Sequence, residues 1–308
     1  MKKQIMWTAA IASCFVLIVI VIGSVVVVAQ TPITGTWTAD IRSEKKESDA
    51  KIHISFERKT AHGTNSNGQG YAYDELKGLS REQAQNGRVR FSLVREAGTI
   101  DCEGSFVDGR GSGTFTFTPN RGFIDAMRSR GFDFEKSDSK HGSDDPEEKL
   151  FAAATLNVTT ALADDLKSAD FGPLEVDNLF KAAIFKVDGK FMAEMKASGF
   201  PNLKMEDLVK ARIFNIDADY VRQVHEMGFD NRDFEGLVKF RIFKVTPEYL
   251  SELKSAGLGD LKDEDIVKCR IFKIDPEFVR KAKAENPNVT VEELVQMKIG
   301  VHPRVKID

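Results

Sequence analysis

Four adjacent Ile-Phe pairs, Ile184-Phe185, Ile213-Phe214, Ile242-Phe243 and Ile271-Phe272, recur at an interval of 29 residues. Thr155-Leu156 stands one interval earlier, and Ile299 stands 28 residues after the last pair. A period of this length marks a chain of stacked supersecondary units and decides the fold of everything it covers. Each unit opens on a helix-capping residue: Thr159, Asp188, Asp217, Thr246 or Asp275. Pro247 and Pro276 then take the first helical position, where a missing N–H costs nothing, and Glu248 and Glu277 lie near the positive end of the dipole. An apolar stripe follows, as in Tyr220, Val221 and Val224, until Gly199, Gly228 and Gly257 end the helix in the left-handed region.

A second helix is predicted from about 206 to 214 and at its equivalents, the last opening with a capping box from Thr290 to Glu293. Helices of about ten residues are marginal alone in water, so each pair must bury its apolar face against the next. The predicted product is an α-solenoid of 29-residue two-helix repeats over 123–303. Its degenerate first unit is marked by "FIDAMRSRGF" at 123, similar to "FMAEMKASGF" at 191. A polar, acidic stretch at 135–148 reads as a mobile insertion, and 304–308 as a tail.

Helical geometry sorts the side chains of the second helix. With Leu208 at zero and about 100° per residue, Val209 lies at about 100°, Lys210 at about 200° and Arg212 at about 40°. Arg212, Arg241 and Arg270 are therefore expected to turn inward and bond carbonyls or caps of a neighbouring unit, because a buried guanidinium needs partners. Phe185, Phe214, Phe243 and Phe272, with their isoleucine neighbours, are expected to join unit to unit. Lys181, Lys210, Lys239 and Lys268 follow Asp177, Glu206, Glu235 and Glu264 by four residues, the spacing of an ion pair within one helix. Such pairing cancels the charge of what looks like an anion-binding stripe.

Residues 33–119 read differently. Six strand-like segments, "ITGTWTADI", "KIHISFERK", "GYAYDELKGL", "RVRFSLVRE", "TIDCEGSFV" and "GSGTFTFTP", are separated by short polar or glycine-bearing turns, and several alternate apolar and polar residues. They predict a small antiparallel β sandwich or meander barrel with Trp37 in its core. The glycines of "VDGRGSG" at 107 are expected to form a hairpin rather than a phosphate loop, since no helix follows and no Lys-Ser or Lys-Thr closes the motif.

The first thirty residues carry a third pattern. Lys2 and Lys3 precede an uncharged stretch whose apolar part, 5–29, has the length of an N-terminal transmembrane helix. An uncleaved anchor is expected in preference to a cleaved signal, with the rest of the chain outside the cytoplasm, periplasmic in a bacterial envelope. The box around Cys14 is followed by too many apolar residues for a lipoprotein. Cys102 and Cys269 are expected to be buried free thiols.

No catalytic or metal constellation stands out. The five histidines are scattered, none in a His-Glu-x-x-His pair, and four Ser-x-x-Lys matches in a lysine-rich chain lack their companion motifs. A net charge of −3 without a basic cluster argues against nucleic acid. No cofactor is implied, and no binding residue can be assigned.

The phrases "IFKVTPEYLSELKSAG" at 242, "GFPNLKMEDLVKARIF" at 199 and "VRFSLVREAGT" before "GSGTFTFTP" resemble the extracytoplasmic C-terminal region of bacterial antirepressor or beta-lactam-sensor-type membrane metallopeptidases. The resemblance covers roughly 33–303 but not the zinc motif or multiple membrane helices of those enzymes. It implies an envelope module detached from the peptidase. The expectation is a non-enzymatic, membrane-anchored α+β multidomain protein that binds a protein partner through its helical repeats. A small-ligand carrier using the β domain is the second reading, and a hydrolase with an unrecognised site the remote third.

Overall fold

The computed structural model describes residues 33–41, 51–60, 63–136, 145–169, 174–229, 233–259 and 261–300. Seven strands form one antiparallel sheet in the order β3-β2-β1-β7-β6-β5-β4. They are β1 (Ile33–Asp40), β2 (Lys51–Thr60), β3 (Gly63–Ala72), β4 (Leu76–Lys77), β5 (Gly87–Arg95), β6 (Gly98–Val107) and β7 (Arg110–Pro119). Among the described residues there is no second sheet to make a sandwich, and no ladder joins β3 to β4 to close a barrel. The chain nevertheless passes from one edge strand to the other through a single 3-10 turn, Tyr73–Glu75. That short link forces the sheet to curl into a half-barrel.

The glycine- and asparagine-rich β3 was the strand hardest to foresee, because its composition has low β propensity. It is held by a complete ladder to β2, from Lys51↔Ala72 to Thr60↔Gly63. "GYAYDELKGL", expected as one strand, is broken where the Glu75 carboxylate turns back to accept from the Ala72 N–H at 2.8 Å.

The concave face is built around Trp37, fully buried, with Nε1 donating to the Glu103 carbonyl at 3.2 Å. Phe91 meets its ring edge-on at 5.2 Å, and Phe106 lies tilted against it at 5.6 Å. The indole fits because glycines floor it. A Cβ on Gly104 would lie 2.7 Å from Trp37 Cζ2, and one on Gly113 only 1.9 Å from the Glu103 carbonyl oxygen. In "VDGRGSG", Asp108 and Gly109 take the positive φ values, 48° and 75°, of a two-residue hairpin turn between β6 and β7. The glycines that follow belong to the floor.

Twelve helices follow among the described residues: α1 (Gly122–Arg128), α2 (Pro146–Leu156), α3 (Thr160–Ser168), α4 (Val176–Phe185), α5 (Gly189–Ala197), α6 (Met205–Ile213), α7 (Ala218–Glu226), α8 (Phe234–Ile242), α9 (Pro247–Ser255), α10 (Asp263–Ile271), α11 (Pro276–Glu285) and α12 (Val291–Lys298). The longest has 11 residues, against about 20 for a membrane span. Among the described residues no helix is long and apolar enough to cross a membrane. The transmembrane helix that headed the expected fold class is therefore struck from it: the class is a half-barrel antiparallel sheet followed by stacked helices. Residues 1–30, on which the anchor and the extracytoplasmic placement rested, lie outside the described residues, as do 137–144 of the acidic insertion and the tail at 304–308. At the insertion's end, Asp145 caps α2 and Pro146 begins it.

The repeat is set by two chain reversals per unit. After each odd-numbered helix from α5 to α9 a glycine, Gly199, Gly228 or Gly257, turns left-handed and a buried apolar residue follows it. Its N–H reaches back to the last turn, as Phe200 does to the Met195 carbonyl at 3.1 Å. The even-numbered helices from α2 to α10 end the same way without glycine: Asn157, Lys186, Asn215, Lys244 and Lys273 all have φ between 51° and 58°. Val158, Val187, Ile216, Val245 and Ile274 behind them are buried, each closing the six-residue ring of a Schellman motif. The predicted caps then start the next helix at once, with Thr159, Asp188, Asp217, Thr246 and Asp275 each accepting a backbone N–H three residues on.

Even-numbered helices stack on one another, α2 on α4, α4 on α6, α8 on α10 and α10 on α12, while α1 meets α3, α3 meets α5 and α9 meets α11. Leu179, Leu208, Leu237, Ile266 and Leu294 occupy the centre of the even layer with no exposed surface. Each such burial contributes roughly 1.5–3 kcal/mol, more than helix propensity supplies to so short a segment.

The sheet and the first helices share a core. Phe151 of α2 enters the concave face, stacked on Phe115 at 5.2 Å and edge-on to Phe117 at 5.3 Å and Phe56 at 6.2 Å. One turn on, Thr155 is fully buried against β3. Its hydroxyl accepts from Asn67 Nδ2 at 2.8 Å, and its carbonyl accepts from Tyr71 Oη at 3.1 Å and from Gln69 Nε2. Arg58 pairs with Glu148 beside it.

Candidate interaction surface

The side chains at the end of each even helix divide by direction. Phe185, Phe214, Phe243 and Phe272 lie half-buried against the core. Their isoleucine neighbours do not. Ile184, Ile213, Ile242, Ile271 and Ile299 are between 47% and 55% exposed. The expectation that both members of the pair join units is corrected for the isoleucine, and the reason is angular. Counted from Leu208, Ile213 lies at about 140°, beyond Val209 at about 100° and away from the buried centre. The count that turned Arg212 inward turns Ile213 out. This row of isoleucines is the feature that sequence reasoning missed, although the signal was present in the same helical wheel.

Because each stands at the end of its even helix, the isoleucines form one ladder along the even layer, one rung per unit. Val209, Val238 and Val267, four residues before three of them, continue each rung toward the core. Lys186, Asn215, Lys244 and Lys273, the left-handed residues two positions beyond each isoleucine, are exposed.

Behind the ladder the arginines tie the units together. The guanidinium of Arg212 lies over the Phe191 ring at 3.8 Å, and those of Arg241 and Arg270 lie over Tyr220 and Tyr249, both at 3.7 Å. Arg241 donates from Nη2 to the Asn215 carbonyl at 2.6 Å and Arg270 to the Lys244 carbonyl at 2.7 Å, while Arg212 Nη2 stands 3.9 Å from Asp188 Oδ1. Each arm thus grips the left-handed turn or the cap of the preceding unit. The stacking leaves the Nε of all three buried without a hydrogen-bond partner among the described residues.

The lysine–carboxylate pairs connect differently from the expected spacing of four. Lys181 reaches Glu206 at 2.8 Å, Lys210 reaches Glu235 at 2.5 Å and Lys268 reaches Glu292 at 3.3 Å, each in the next unit. Lys210 and Lys268 stand in the last turns of their helices and their glutamates in the first turns of the neighbours, so these two cross-unit pairs are favourable at both dipole ends. The Lys181 ammonium holds the Glu206 carboxyl below its usual range, and Glu235 raises Lys210. These exposed pairs contribute little energy individually and neutralise this flank of the ladder.

The same geometry sets the cost of truncating the phenylalanine. Phe243→Ala removes a ring that is only half-buried, and about 1–2 kcal/mol of stability is expected to be lost rather than the 3–5 kcal/mol of a fully buried ring. Ile242→Ser is expected to change it by less than about 0.5 kcal/mol. Urea unfolding of the two variants side by side checks both, and equal losses would contradict the assigned directions.

Chemistry is sparse elsewhere. Cys102 and Cys269 are free and buried, and burial pushes the Cys269 thiol up to about 11 and Cys102 higher still, so neither is a thiolate at neutral pH. His53 stands beside Ser55 Oγ at 3.4 Å on the exposed side of β2. Among the described residues no three His, Cys, Asp or Glu side chains are grouped to hold a metal. No family model matches the chain, and no curated protein matches it at a significant level.

Proposed function

We propose that this chain is a non-catalytic interaction module that holds a protein partner along the even-numbered helices. The observation that carries the reading is the isoleucine ladder. A lone exposed isoleucine is ordinary, but five on one layer, four of them at an interval of 29 residues and the fifth 28 on, form an ordered apolar surface. Solenoids present extended surfaces of this kind because each unit repeats the same face. The sensing role implied by the resemblance to the extracytoplasmic region of metallopeptidases is compatible with such a surface.

The carrier reading has less support, since Trp37 and Phe151 occupy the concave face where a small ligand would enter. For the hydrolase reading, no nucleophile, base and oxyanion donor are grouped together among the described residues.

Photo-crosslinking tests the proposal in the intact chain. p-Benzoylphenylalanine placed at position 242, on the ladder, is expected to capture a defined partner peptide from native extract. The same group at position 116, on the exposed face of β7, serves as the comparison. Equal capture at both positions, or none at 242, would remove the ladder from the function.

A further inference from the structure

A cavity of about 110 Å³ opens beside the start of α4, at the opposite end of that helix from Ile184. Asp133 and Lys136 line it from the segment after α1, Lys149 from α2, and Glu175 and Asp177 from the start of α4. Lys149 is only 7% exposed, a rare burial for a lysine without a counter-charge. Its Nζ donates to the Lys136 carbonyl at 2.7 Å, and no ion pair joins it to a carboxylate among the described residues. An ammonium has three donors, so two are left over.

Opposite charge lines the same space without closing on that ammonium. Asp177 makes no ion pair or side-chain hydrogen bond among the described residues, since Lys181, four residues on, reaches Glu206 of the next unit instead. Asp133 accepts from the Glu135 N–H at 3.0 Å and stands 3.9 Å from Arg128 Nε. The N–H groups of Val176 and Asp177, in the first turn of α4, have no acceptor within the helix and add positive potential on that side.

Every simple occupant therefore meets a charge of its own sign. An anion on Lys149 faces three carboxylates, and a cation on the carboxylates faces Lys149. A metal ion has no set of three ligands among the described residues. At about 30 Å³ each, about three or four waters would fill the space and satisfy the hydrogen bonds of Lys149, but water brings it no counter-charge. A molecule carrying both charges a few bonds apart complements both kinds of wall.

We propose that this cavity binds a compact zwitterion of the α-amino acid class. Its carboxylate takes the two remaining donors of Lys149 and faces the first-turn N–H groups of α4, and its ammonium meets Asp177 and Asp133. The volume favours the smallest members, glycine and alanine. The site is separate from the isoleucine ladder, so the crosslinking result at position 242 and the outcome here are independent.

Saturation-transfer NMR of the full chain with glycine, acetate and glycinamide tests the proposal, because acetate lacks the ammonium and glycinamide lacks the carboxylate. Saturable binding of glycine is expected, no tighter than the micromolar range for a ligand of about five heavy atoms. Acetate and glycinamide should each bind at least about tenfold more weakly. Lys149→Met should abolish glycine binding without lowering the melting temperature, since it removes a buried charge that lacks an ion pair. Asp177→Asn, at a half-buried position, should weaken binding at least about tenfold with unchanged circular dichroism, and it carries the test if Lys149→Met fails to fold. Acetate binding as tightly as glycine would make the cavity an anion site, and glycinamide doing so a cation site. Either result overturns the proposal, as does wild-type affinity in Asp177→Asn or in folded Lys149→Met. Absence of saturable glycine binding would mean that the cavity holds water alone, and would overturn it too.

Discussion

Phe151→Ala is expected to destabilise the protein by about 3–5 kcal/mol, the range for truncating a well-packed aromatic side chain. The ring is 8% exposed and touches three others from two strands of the sheet. Its removal leaves a cavity where the helices meet the half-barrel. The sheet's neighbours cannot collapse into that space, because Phe115 and Phe117 are fixed by their ladders to β1 and β6. The contact also couples the two halves, so urea unfolding followed separately by tryptophan emission and helical circular dichroism should lose coincidence in the variant. A loss below about 1 kcal/mol, with the two probes still superimposed, would mean that the sheet and the helices hold together without this ring.

Trp37→Ala is expected to cost a similar 3–5 kcal/mol, by a different route. The indole is wholly buried, its N–H is bonded, and its shape is matched by glycines on β6 and β7. Those glycines have no side chains with which to refill the space. Truncation therefore leaves most of the cavity open. The converse change, Gly113→Ala, should be comparably damaging, since the new methyl would press on the backbone of β6 rather than on a flexible side chain. Thermal melts of the single variants and of the pair are the measurement. If the alanine at 113 partly rescued the loss at 37, the floor would be less rigid than the packing indicates, because a backbone clash is not relieved by removing the ring.

Much of the helical half was legible in the sequence. A period of 29, caps at fixed offsets and glycines at helix ends are local signals with local causes, and the structure places helix starts where the caps stand. The sheet was legible in its better strands, where alternation is strong, as in "RVRFSLVRE". It failed at β3, whose pairing is made by β2 rather than by its own composition. The candidate surface was half-legible. The angular count was enough to see Ile213 leave the core, but the adjacency of Ile and Phe suggested one shared fate for two residues about 100° apart.

The repeat and its reversals were thus readable from the chain alone, because periodicity and capping are properties of a few adjacent residues. The tertiary structure alone decided which neighbour each lysine joins, why the glycines of β6 and β7 are needed, and that the first rung of the ladder is covered by the sheet while the others stand open. Those outcomes depend on which distant segments come together. Cross-unit distances, cavity shapes and coverage do not exist until the helices stack and the sheet curls.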